Sequence, residues 1–231
     1  MTLKKSKGNM YPWVTHTHSH LAGKCPHECS YCYVQAMARK FPSMKALYSG
    51  EIRLIEKEFS VDYGTGKTIF IEHMNDLFAE SVPVSFIRKV QAHCCMYPDN
   101  EHVFQTKNPS RYFGIFSPFF PPKRIFGTTI ETNNTMLNII GKAPDFDDRM
   151  RAMKLINDRK FVTIEPILNF DVDILSSWMD QIRPEFVNIG ADSKGHGLPE
   201  PSPDKVHALI EKLTGYGIEI REKHNLERLL K

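Results

Sequence analysis

The chain has 231 residues, 41% hydrophobic and 25% charged, with a net charge of +3. That size and composition suit one soluble globular domain spanning 1–231, and apolar runs such as Ile69–Ile71 and Phe116–Pro122 are too short to cross a bilayer. The N-terminal MTLKKSKGNMYPW is basic but has no apolar stretch behind it, so it is not read as a secretory signal and a cytoplasmic location without membrane partners is expected. Basic clusters at Lys4, Lys5 and Lys7 and at Arg39 and Lys40 read as solvated surface; the mild charge neither demands nor excludes nucleic acid.

Runs rich in Val, Ile, Phe and Thr predict strands over Trp13–His20, Thr68–His73, His102–Thr106, Arg124–Ile130, Phe161–Pro166 and Phe186–Gly190, with Gly217–Arg221 as a candidate seventh. Amphipathic stretches between them predict helices over Tyr33–Ser49, Val84–Tyr97, Phe146–Asp158, Val172–Ile182 and Asp204–Leu213, with Pro83 and Pro203 as start signals. Strand and helix alternating about six times is the pattern of parallel βαβ units, either a partial barrel or an open doubly wound sheet. In both, ligands sit beyond the carboxyl ends of the strands. The aromatic, proline-rich segment Phe113–Pro122 reads as packing around an irregular loop, or as a wall shielding a reactive centre.

There are five cysteines. Cys25, Cys29 and Cys32 form C-x3-C-x2-C after the first predicted strand, and clustered thiols in a reducing compartment point to metal or redox chemistry rather than disulfides. A structural zinc normally takes four protein ligands, so here it would need His27 or a distant group. An iron–sulfur cube is usually held by four cysteines, and three leave one iron for an external ligand. Cys94 and Cys95 are adjacent on a predicted helix and cannot face the same way. They read as ordinary buried thiols, with a hydrogen-atom donor or auxiliary ligand as the alternative. His16, His18 and His20 alternate along the first strand and share one face. They either hold a metal or divide between lining the site and structural hydrogen bonds.

The C-x3-C-x2-C spacing, with the aromatic Tyr31 before the third cysteine, resembles the radical S-adenosylmethionine (SAM) superfamily. PWVTHT, GKCPHECSYCYV, IFIEHMNDLF, QTKNP, GTTIETN, TIEPIL and VNIGADS resemble a phage- and prophage-associated radical SAM family of uncharacterised function, distantly similar to spore photoproduct lyase. ADSKGHGLP at 191–199 departs from that family's glycine- and glutamate-containing loop. The resemblance implies a partial (β/α)6 barrel of parallel strands with outer helices. It also implies a [4Fe–4S] cluster on Cys25, Cys29 and Cys32, and SAM chelating the open iron. Reductive cleavage would then give a 5′-deoxyadenosyl radical that abstracts hydrogen from a substrate. A flavodoxin or ferredoxin-type electron donor is implied as partner. Two substrate classes stay open: a nucleic-acid base or nucleotide, and a small molecule or peptide. A non-catalytic metal-binding module is a third reading.

By the same resemblance the SAM methionine lies near Glu72–Asp76, though Asp76 could equally cap a turn. Lys107 could pair with the SAM carboxylate or be a surface lysine. Glu131, with Thr129 and Asn133 nearby, suits the ribose diol, a helix cap being the alternative. Glu165 stands in an apolar strand context, where a carboxylate costs free energy unless paired. It is read as the catalytic candidate, with Lys107, a first-strand histidine, substrate or SAM as partner, a structural buried ion pair being the alternative. On that reading Glu165→Gln leaves the fold sound and abolishes SAM cleavage.

Overall fold

The computed structural model describes residues 3–114, 120–137 and 139–231. It divides into two compact units, Met1–Ile125 with Gly141–Ala143, and Phe126–Ile140 with Pro144–Lys231. Both are α/β, built on parallel strands that alternate with helices.

The first unit contains β1 (Lys4–Lys5), β2 (His16–His18), β3 (Leu21–Ala22), β4 (Arg53–Leu54), β5 (Thr68–Ile71) and β6 (Glu101–Thr106). β2 pairs in parallel with β5, and β5 with β6, in registers His18↔Ile71 and Ile71↔Phe104; β1 adds antiparallel to β2. The helices here are α1 (Tyr33–Lys40), α2 (Pro42–Leu47), α3 (Val84–Cys95) and α4 (Arg111–Gly114). Ile69, Ile71, Val103 and Phe104 of the strands are buried, as are Ile87 and Val90 of α3, and the Phe78 ring lies 6.1 Å from that of Phe104 and 4.7 Å from that of Tyr112. Phe120 closes this core, its ring 5.3 Å from that of Phe104. Residues 115–119 of the predicted aromatic segment lie outside the described residues.

The second unit is organised around β7 (Arg124–Thr129), β8 (Lys160–Ile164), β9 (Phe186–Ile189) and β10 (Glu219–Glu222), neighbours pairing in parallel. The helices are α5 (Phe146–Lys154), α6 (Val172–Ile182) and α7 (Pro203–Gly215). β8 and β9 are buried along their whole length, as strands covered on both faces must be. The Asp171 carboxylate caps α6 by accepting from Ile174 N at 2.9 Å.

Two predicted elements are shorter than their periodicity suggests. The helix expected over Tyr33–Ser49 breaks at Phe41, whose φ of −120° and ψ of 118° are extended. Pro42 excludes the helical region for the residue before it. The first strand keeps only His16–His18, because His20 N donates to the Glu72 carboxylate at 2.6 Å instead of to a ladder partner.

Candidate cofactor site at the strand ends

The cysteine loop, 23–32, leaves the short β3–β4 ribbon and runs into α1. Its entry is tight: Gly23 has φ +95°, and a Cβ there would lie 2.1 Å from the Glu51 carbonyl oxygen. Gly23 N and Lys24 N donate to the carbonyls of Leu47 and Gly50, both at 2.9 Å. At mid-loop, Lys142 N donates to His27 O at 2.6 Å. Gly141 makes that approach possible, since a Cβ on it would stand 2.1 Å from the same oxygen. The loop ends with Cys32 as the residue preceding α1, where the positive end of the helix dipole favours a thiolate.

Cys25, Cys29 and Cys32 are all free thiols; Cys29 is buried and the other two are partly exposed. Burial pushes the Cys25 thiol up to about 12, and the Asp76 carboxylate and the other two cysteines push the same way. The three sulfurs therefore sense one another, and as bare thiols they oppose joint ionisation. A multiply charged metal centre reverses that balance by binding the thiolates directly. Three converging thiols with one ligand position left over fit a [4Fe–4S] cluster with an open iron. Cys94 and Cys95 lie on α3 rather than on this loop: Cys94 is buried and Cys95 partly exposed.

Asp76 is the hub beneath the loop. Its carboxylate accepts from His27 Nε2 at 2.8 Å, Lys107 N at 2.8 Å, Thr106 Oγ1 at 2.7 Å and Phe78 N at 2.9 Å. Burial alone would raise its pKa, but the His27 charge and these donors together hold it below the ordinary range. Asp76 thus ties the middle of the cysteine loop to the end of β6, a positioning task rather than a free cofactor ligand. From that same strand end, Lys107 Nζ donates to the Tyr31 hydroxyl at 2.6 Å and lies 5.0 Å from its ring centroid. An ammonium and a phenol from two elements meet beside the third cysteine.

Glu72 bonds the segment that follows β2. It adopts φ +62°, is 3% exposed, and accepts from His20 N, His20 Nδ1 and Leu21 N at 2.6, 2.8 and 3.2 Å. It shapes the chain leading into the loop.

In the second unit, Glu131 and Glu165 each have a basic partner within the chain. Glu131 is fully buried, and its Oε2 accepts from Arg149 Nη1 at 2.9 Å. The same Nη1 donates to the Thr129 carbonyl at 2.9 Å, while Arg149 Nε reaches Pro144 O at 2.8 Å. Glu131 and Thr129 thus both bond the Arg149 guanidinium, and Asn133 Oδ1 accepts from Asp171 N. Glu165 accepts from Lys223 Nζ at 2.8 Å and Asn225 Nδ2 at 3.1 Å, with side-chain exposures of 17% and 6% for the ion pair. Both of these partners come from the C-terminal part of the chain. In the 191–199 loop, Asp192 accepts from the backbone of Lys194 and from the backbone and ring of His196.

Arg149 and Lys223 were not singled out by the sequence, and His27 only as a fourth ligand for zinc. Arg149 stands in the polar-looking helix FDDRMRAMK, and nothing there marks it as an arginine with no exposure. His27 carried a faint signal, standing between two cysteines. Of the first-strand histidines, His16 is half-exposed and bonds Thr15, whereas His18 and His20 turn inward.

The fold has relatives among solved structures. A spore photoproduct lyase variant superposes with a TM-score of 0.65 at 10% identity, over 96% of this chain and 80% of that one. Another, with bound AdoMet and dinucleoside spore photoproduct, gives 0.57 at 12% identity, over 92% of this chain and 65% of that one. SuiB of Streptococcus suis bound to precursor peptide SuiA gives 0.55 at 11% identity, over 94% and 50%. The chain thus has the α/β partial-barrel fold of these radical SAM enzymes, and it spans less than two thirds of the length of some of them. No curated protein matches it. Residues 10–213 match a family described as "Protein of unknown function (DUF5131)".

Proposed function

Because the chain belongs to the DUF5131 family, described only as being of unknown function, we propose from its own residues that it is a radical SAM enzyme. The observation that carries this reading is the loop of Cys25, Cys29 and Cys32, braced through His27 by Asp76 and faced by the Lys107–Tyr31 pair. When bound there, a [4Fe–4S] cluster supplies the electron for reductive cleavage of SAM, drawn from a flavodoxin or ferredoxin-type donor. The three cysteines would hold the cluster, and Lys107 with Tyr31 would hold the SAM carboxylate, for which a charged donor beside a hydroxyl is a suitable partner. Asp76 keeps both groups in register by bonding His27 and the backbone of Lys107 at once. The protein's contribution is orientation and exclusion of water, the hard chemistry belonging to the cofactors.

The substrate we propose is a nucleic-acid base or nucleotide. Support comes from the sequence resemblance to the spore photoproduct lyase group and from the fold shared with that enzyme, one structure of which holds a dinucleoside photoproduct. A peptide substrate is the second reading, supported by the fold shared with SuiB bound to its precursor peptide. Anaerobically reconstituted protein, incubated with SAM, a reductant and in turn oligonucleotides and peptides, tests both. Release of 5′-deoxyadenosine stimulated by oligonucleotide supports the first reading. Stimulation by peptide alone replaces it with the second, and no SAM cleavage under any condition rejects the enzyme reading.

A further inference from the structure

Away from the cysteine loop, the first unit buries three imidazoles together. His18 is 6% exposed, His20 0% and His93 3%. They come from the end of β2, the segment after it, and the last turn of α3. One ring nitrogen from each lies within 4.8 Å of the other two. His20 Nε2 stands 2.9 Å from His93 Nδ1. The Tyr63 hydroxyl enters the same space, 2.6 Å from His18 Nδ1 and 3.2 Å from His20 Nε2.

The outward-facing nitrogens fix the tautomers. His18 Nε2 donates to the Glu58 carboxylate at 3.1 Å, His20 Nδ1 to Glu72 at 2.8 Å, and His93 Nε2 to the Val61 carbonyl at 3.1 Å. Each ring carries its hydrogen on the outside, so each presents a lone pair to the inside. Tyr63 has one hydroxyl hydrogen for three lone pairs. At least two remain without a hydrogen, and His20 Nε2 and His93 Nδ1 point theirs at each other. Buried acceptors in that state call for a cation. A proton there would create a buried imidazolium, which is costly. A divalent metal needs the neutral rings that burial favours.

The surroundings match what metal-bound histidines require. The far nitrogen of each ring is hydrogen-bonded to a carboxylate or a carbonyl, the arrangement that orients ligating imidazoles. Two of these partners, Glu58 and Glu72, supply two negative charges near a dication. Zinc–nitrogen bonds of about 2.0–2.1 Å place tetrahedral ligands about 3.3 Å apart, and the separations of 2.6, 2.9 and 3.2 Å here lie a little below that spacing.

We propose that His18, His20, His93 and the Tyr63 oxygen form a zinc site that pins β2, the segment after it and α3 together within the first unit. It stands independently of the radical SAM reading, because it shares no ligand with the cysteine loop.

Metal analysis tests it in two proteins. One is the wild type, purified anaerobically and reconstituted with iron and sulfide; the other is a Cys25→Ala, Cys29→Ala, Cys32→Ala variant that removes the three thiols of the loop. Both should hold about one zinc per chain, as one four-ligand site requires, and His20→Gln and His93→Gln should lose it. For a readout that does not depend on the histidine variants folding, cobalt is substituted into the cysteine variant. The expected spectrum has the visible bands of tetrahedral cobalt without thiolate charge transfer. Zinc-free cysteine variant after dialysis against zinc, zinc undiminished in folded histidine variants, or the weak spectrum of octahedral cobalt would each overturn the proposal.

Discussion

His27 Nε2 donates to Asp76 Oδ2 at 2.8 Å, so a carboxylate that also grips Thr106 and the backbone of Lys107 holds the middle of the cysteine loop. Asp76→Asn keeps the size but replaces one acceptor oxygen with a donor, setting it against donors already there. A buried hydrogen bond to a charged group contributes about 1.5–3 kcal/mol, so a stability loss of about 3 kcal/mol is expected. Iron uptake should fall more than in His27→Gln, which disturbs one bond. Urea unfolding and iron analysis after reconstitution measure both; unchanged values would remove Asp76 from its positioning role.

Lys107 is expected to act on SAM and not on the cluster. Lys107→Met should weaken SAM binding roughly tenfold, the equivalent of one charge-assisted hydrogen bond of about 1.4 kcal/mol. Lys107→Arg should recover part of it, and iron content should match the parent in both. Calorimetry on the reconstituted protein decides this, and parental affinity in Lys107→Met would assign the lysine to Tyr31 alone.

The strand–helix alternation and the cysteine loop were legible in the sequence because both are local: a period-2 apolar run, and three thiols within eight residues. Asp76 and Lys107 stand out in the sequence because strand ends are where ligands gather, although the sequence could not show that Asp76 braces His27. The partners of the carboxylates were not legible, for a common reason. Glu72, Glu131 and Glu165 all follow strands, and the groups that hold them are far along the chain: His20, Arg149 and Lys223 lie 52, 18 and 58 residues away. Spacing within a motif says nothing about such partners. His93 likewise could join His18 and His20 only after α3 had packed.

The two ion pairs of the second unit should be felt as stability. Glu131→Gln leaves Arg149 charged with no exposure, and breaking such a pair costs about 3–5 kcal/mol. Glu165→Gln strands Lys223 in a partly exposed setting, for which about half that cost is expected. The structure thus reverses the sequence expectation that Glu165→Gln leaves the fold sound. Chemical denaturation measures both losses; a Glu165→Gln protein as stable as its parent would restore the earlier view.

His102 makes the fold acid-sensitive. Burial pushes it down to about 4, against the weaker upward pull of hydrogen bonding to Lys123 and Asn100. The unfolded chain, with histidine near its ordinary value of about 6.5, binds the proton first. This contribution to stability is therefore full above about pH 6.5 and shrinks as pH falls toward 4. His102→Phe should flatten the Tm-versus-pH curve between pH 7 and 5 relative to the parent. An unchanged slope would place the acid sensitivity elsewhere.

The central claim is that Cys25, Cys29 and Cys32 hold an iron–sulfur cluster that cleaves SAM. Anaerobic reconstitution with iron, sulfide and 5′-deoxyadenosine quantified together tests it most directly. We predict about four irons and four sulfides per chain, with reductant-dependent 5′-deoxyadenosine. Both should be lost on changing any of the three cysteines to Ala and kept in Cys94→Ala and Cys95→Ala. A protein that takes up no iron, and whose zinc disappears when the loop cysteines are replaced, would contradict it.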